Sequence, residues 1–121
     1  MSQQNVFGQN LIPCCTAPMT GFYRDGYCKT GDHDSGRHVV CAVMTADFLE
    51  FSKSRGNDLI TPRPEYDFPG LQPGDQWCLC ALRWREAHEH NKAPQVILEA
   101  CAEEALQFID FKTLIQYALK K

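Results

Sequence analysis

The chain has 121 residues, enough for one domain with its own apolar core and too few for two comfortable ones. Its 44% hydrophobic and 22% charged residues are ordinary for a globular protein, and a net charge of -3 without a basic stripe argues against nucleic-acid binding. No stretch approaches the roughly 20 apolar residues of a membrane span, and the opening MSQQNVFGQN lacks the basic start and apolar run of a secretory leader. A cytoplasmic protein with no membrane and no nucleic-acid partner is expected, in a compartment where thiols stay reduced. Residues 1–121 read as a single domain, with 1–4 as a loose tail.

Residues 13–38, PCCTAPMTGFYRDGYCKTGDHDSGRH, carry Pro and Gly at short intervals, which breaks both the strand and the helix period. The interleaved Phe22, Tyr23 and Tyr27 suggest a packed loop, and long loops of this kind are often functional. HVVCAVMT, 38–45, is short, β-branched and apolar on both faces, as an interior strand would be. Thr45 then caps a helix in which Asp47 and Glu50 precede Lys53 and Arg55, with Gly56 as the stop; that charge order suits the helix dipole. Pro62, Pro64, Pro69 and Pro73 make 56–76 a second long irregular stretch, pinned by Leu59, Tyr66, Phe68 and Leu71.

The turn Pro73-Gly74-Asp75 launches a strand, WCLCAL, over 77–82. RWREAHEHNK (83–92) fits a helix with Trp84, Ala87 and His88 on one face. After Pro94, QVILEAC (95–101) reads as another buried strand, so a βαβ unit with two parallel strands is expected. A short helix around 102–106 follows. Asp110 then caps a last helix striped by Phe111, Leu114, Ile115, Ala118 and Leu119. The sum is an α+β domain: a small mixed sheet containing a βαβ unit, helices packed on it, and two long Gly/Pro-rich loops.

The seven cysteines are Cys14, Cys15, Cys28, Cys41, Cys78, Cys80 and Cys101, an odd number without the pattern of a secreted disulfide scaffold. Free thiols are the expectation. Cys78 and Cys80 alternate on one strand and so share a face, as Cys41 does with Val39 and Val43. The simplest role is packing, because free Cys behaves as a small hydrophobe. The first alternative is a zinc site drawn from Cys28, Cys41, Cys78, Cys80 and His38, although no C-x-x-C knuckle is present. The second is a redox pair or thiol enzyme using Cys41, Cys78 and Cys80 with His38 as base. A Cys78–Cys80 bridge would be strained, and Cys14–Cys15 read as loop residues. No resident cofactor is expected outside the zinc alternative.

Both loops set charged groups among aromatics. Arg24 and Arg63 are suited to bidentate capture of a carboxylate or phosphate, with Asp25, Glu65, Tyr66 and Asp75 beside them as ligand-binding candidates or internal partners. His88 and His90 lie on different sides of their helix, which suits a surface role. No phosphate-binding glycine loop, zinc-protease or nucleophile-elbow motif occurs.

The phrases TGFYRDGYCKTG, VCAVMTADFLEFS, PRPEYDFPGL and WCLCALRW, with the later APQVILEA, resemble a family of uncharacterised bacterial proteins, domain of unknown function twenty-two thirty-seven. The resemblance runs from Asn5 to about Ala118. It implies one self-standing domain of cytoplasmic type, matches the family at Cys28, Cys41, Cys78 and Cys80, and departs from it at Cys15 and Cys101. It implies no activity. The residues themselves favour a binding module that holds a small anionic ligand or a protein segment between the two loops. The alternative is a thiol-based enzyme or zinc protein centred on the C-x-C strand.

Overall fold

His38–Val43 forms strand β1, whose β-branched run is buried along its middle. Gln76–Cys80 forms strand β2, and the two pair antiparallel with Cys41 opposite Cys78 and Ala42 opposite Trp77. Between His38 and Val40 the register shifts, so His38 meets Cys80 only after an irregularity. The computed structural model describes residues 4–14, 20, 26–29, 37–66 and 68–119.

Helix α1, Ala46–Ser54, starts where the local signals put it. The Thr45 hydroxyl accepts the Phe48 N–H at 3.0 Å, and Phe48 and Leu49 turn into the core. It ends at Gly56, whose φ of 92° is open to glycine, with the Asn57 N–H returning to the Ser52 carbonyl at 2.9 Å. Helix α2, Ala81–Glu89, leaves β2 without a linker, two residues earlier than the expected start. Its Trp84 is fully buried, donates Nε1–H to the Pro94 carbonyl at 3.0 Å, stacks on His88 and meets Tyr117 edge-on.

The α+β class holds: among the described residues the regular sheet is the antiparallel pair β1–β2, and the second strand expected of the βαβ unit is only a short bridged segment. Residues 95–97 lie along the free edge of β1, with Val43 N–H to Gln95 carbonyl and Ile97 N–H to Cys41 carbonyl, both 2.9 Å. Since β2 and 95–97 each oppose β1, they run in the same direction but stand on either side of it. The expected strand over 95–101 stops short because a 3-10 turn, Leu98–Ala100, bends the chain. Leu98, Ala100, Cys101 and Ala102 are all buried without alternation, and the turn lets them face the core together.

The expected helix at 102–106 is a 3-10 segment, Glu103–Gln107. Helix α3, Phe111–Gln116, is shorter than its apolar stripe, and the Asp110 side chain makes no capping bond. Leu114 is buried, whereas Ile115 and Leu119 stay exposed at 50% and 37%. Residues after α3 close the sheet side: Leu119 N–H reaches the Val96 carbonyl at 2.8 Å. Leu59, Phe68 and Leu71 pin the second loop, as their apolar character predicts. Among the described residues no helix is long and apolar enough to cross a membrane.

Candidate functional site

Four sulfurs meet where Cys14 and Cys28 reach the two strands. Cys14 is bonded to Cys41 of β1, and Cys28 to Cys78 of β2. The expectation of free thiols is therefore corrected at these four positions, while Cys80 and Cys101 keep their thiols and Cys15 lies outside the described residues. Cys41 and Cys78 do face inward, as expected of packing residues, but they are linked rather than unligated. The physical reason is convergence: both loop cysteines come within bonding reach of a sulfur already held on a strand.

The ladder brings the two strand sulfurs together. The Cys41 N–H donates away from β2, to Cys101 Sγ at 3.3 Å, and the Cys78 N–H donates away from β1, to Thr20 Oγ1 at 2.8 Å. Opposed residues whose amides point outward form a non-hydrogen-bonded pair, the kind in which side chains on one face stand closest. The loop delivers the other two sulfurs through its own ties, with the Cys14 N–H donating to the Gly26 carbonyl at 2.6 Å and the Gly26 N–H to the Thr20 carbonyl at 3.0 Å. As a result Sγ of Cys14, Cys28 and Cys78 all lie within 4.8 Å of one another. Cys28 and Cys41 are fully buried and Cys14 and Cys78 nearly so, at 4% and 1%.

A fifth sulfur lies alongside. Cys101 is fully buried, its Sγ 3.8 Å from the Cys41 carbonyl, and burial pushes its thiol up to about 12. It stays protonated at neutral pH, so it is a poor nucleophile against the neighbouring disulfides. Cys80 sits half-buried at the junction of β2 and α2, opposite His38, beyond the irregularity in the ladder. The face expected to be shared by Cys78 and Cys80 is not what gathers the sulfurs; the cross-strand position of Cys78 opposite Cys41 is.

The charged candidates are scattered. Arg24 and Asp25 lie outside the described residues. Arg63 is exposed and exchanges both backbone hydrogen bonds with Phe68, at 2.7 and 3.1 Å. Glu65 is exposed on a single 3-10 turn, Pro64–Tyr66. The Asp75 carboxylate accepts the Gln72 N–H at 2.9 Å, which closes the turn ahead of β2.

Sequence reasoning missed Cys14. It stands between Pro13 and Cys15 in a stretch without period, so nothing local marks it as the partner of a strand residue 27 positions away. Cys28, Cys41 and Cys78 were legible as candidates, and the structure unites them. Among curated proteins none matches the chain. A family model described as an uncharacterized protein conserved in bacteria (DUF2237) matches residues 4–118, and the chain belongs to that family.

Proposed function

We propose that this protein is a small binding module whose first loop is set by thiol–disulfide chemistry at the four-sulfur centre. The observation that carries the reading is the bonding of Cys14 and Cys28, which bracket residues 15–27, to two facing strand residues. That bracketed segment contains Arg24 and Asp25, and an arginine there is suited to a small carboxylate or phosphate. With both ends held, less chain freedom is lost when a ligand binds, so the oxidised form is the pre-organised one.

Each disulfide opens by taking two electrons and two protons from a dithiol, which leaves as its own disulfide. The attacking thiolate must reach a sulfur that is almost fully buried, so exchange waits on local opening of the loop.

Trypsin tests the switch, because Arg24 lies inside the bracketed segment. Cleavage after Arg24 should become several-fold faster once a dithiol has opened both bonds, with far-ultraviolet circular dichroism unchanged. Equal cleavage in the two states, or loss of the fold on reduction, would make the bonds plain staples. Titrating both forms with pyrophosphate and with citrate tests the ligand class: tighter binding by the oxidised form is expected, and no binding of either anion removes it.

A further inference from the structure

We infer that Cys14, Cys28, Cys41 and Cys78, once reduced, form a tetrathiolate site for a zinc ion. The inference rests on the reading above only in requiring that both bonds can open. Zinc holds thiolate sulfurs at about 2.3 Å in a tetrahedron, which places the sulfurs roughly 3.8 Å apart. Three of the four already lie within 4.8 Å of one another, and the fourth, Cys41, is bonded to one of the three. Opening the two bonds lets each pair spread by roughly 2 Å, which makes room for the ion at the centre.

The placement of the ligands suits a closed, structural site. Two come from facing positions of a strand pair and two, Cys14 and Cys28, from the chain that precedes it. All four are buried, so no ligand position is left open to water, as a catalytic zinc would need. Soft thiolates in a tetrahedron select zinc over hard cations. The set replaces the one expected from the sequence: Cys14 enters, and His38 and Cys80 leave, because the ladder irregularity puts the His38–Cys80 pair at the sheet's end. Cys101 is outside the set, since the sulfurs that cluster within 4.8 Å are those of Cys14, Cys28 and Cys78.

The chemistry balances in both directions. Four thiols binding one zinc ion release four protons and leave a centre of charge about -2. Two equivalents of hydrogen peroxide and four protons then convert that centre to two disulfides, a released zinc ion and four waters, with four electrons passing from sulfur to peroxide. The bonded pairs Cys14–Cys41 and Cys28–Cys78 are the oxidised form of this centre, in which the sulfurs hold one another.

The test uses the full untagged chain, reduced with a phosphine in metal-free buffer and titrated with cobalt(II), then zinc. One cobalt per chain should bind, with the sulfur-to-cobalt charge-transfer band and strong visible bands of a tetrahedral thiolate site, and one zinc should displace it. Cys14→Ser should weaken cobalt binding at least ten-fold, while Cys80→Ser should titrate as the parent. Peroxide should release the zinc and restore two disulfides by mass. A reduced, folded chain without the charge-transfer band overturns the inference, and so does a reduced, unfolded chain that cobalt does not refold. Loss of the band in Cys80→Ser with its retention in Cys14→Ser would overturn it too. If trypsin cleavage still responds to reduction, such failures remove the zinc site alone. If a dithiol cannot open the bonds at all, both proposals fall.

Discussion

Cys41 and Cys78 stand directly opposite each other on β1 and β2, yet each is bonded elsewhere, to Cys14 and Cys28. Their amides donate outward, one to Cys101 Sγ and one to Thr20 Oγ1, which leaves the two side chains close on the same face. A sulfur pair fixed in this way draws the loop onto the sheet at two points.

The two bonds should differ in what they contribute. Cys28–Cys78 closes a separation of 50 residues and Cys14–Cys41 one of 27. Loop-closure entropy then gives about 4 kcal/mol for the first and about 3.6 kcal/mol for the second. Urea unfolding of the oxidised Cys28→Ala/Cys78→Ala chain should show the larger loss, and the Cys14→Ala/Cys41→Ala chain the smaller. A reversal by more than about 1 kcal/mol would show that cavity and packing effects, not chain entropy, decide the order.

Thr20 is fully buried and accepts the Cys78 N–H at 2.8 Å. Thr20→Val keeps the shape and removes the acceptor, so a buried amide loses its partner at a cost of about 1–3 kcal/mol. Thr20→Ser should recover most of this. Equal stability of the Val and Ser variants in urea would show that the hydroxyl is not holding the strand.

Asp58 organises the turn after α1 by accepting the Ile60 N–H at 2.9 Å, the Thr61 N–H at 3.1 Å and the Thr61 hydroxyl at 2.6 Å. The Thr61 hydroxyl first, then the amides of Thr61 and Ile60, lower its carboxyl from 3.8 to about 2. A carboxyl held lower in the folded chain favours the fold above its ordinary value and loses that contribution as pH falls toward the lowered one. A carboxyl-carbon titration should therefore place the Asp58 midpoint near 2. Asp58→Ala should flatten the acid limb of the stability curve in the same window; a midpoint at the ordinary value would contradict it.

Gly70 sits at φ 80°, and a Cβ there would press against the Ile60 carbonyl oxygen, which is backbone and cannot swing aside. Gly70→Ala combines left-handed strain of about 1–2 kcal/mol with that clash, so the loss should exceed 2 kcal/mol, roughly. Gly56→Ala meets nothing within 4 Å and should show the backbone penalty alone. Thermal unfolding of the two variants separates the effects, and equal losses would mean that the loop moves out of the way.

The features legible in the sequence were those set locally. Thr45, the order of charges along α1 and Gly56 define that helix within a dozen residues, and the structure keeps it. The Pro73-Gly74-Asp75 turn likewise marks the start of the strand expected over 77–82, which the structure keeps as Gln76–Cys80 before α2 takes over at Ala81. Strand partnership is set at long range: short links between 77 and 101 suggest two parallel strands, but nothing in them shows that β1 lies between the two. The disulfides were hidden for the same reason. In sequence Cys78 stands beside Cys80, whereas its bond is to Cys28, 50 residues away.

The Thr20 hydroxyl also closes the outer rim of β2 at Cys78, where a further strand would otherwise dock. Unpaired rims invite copies of a protein to pair edge to edge into aggregates. Thr20 is in turn tied to the loop through its carbonyl, which accepts the Gly26 N–H at 3.0 Å. One side-chain hydroxyl thus occupies the strand amide that another copy of the chain would need for pairing at this position.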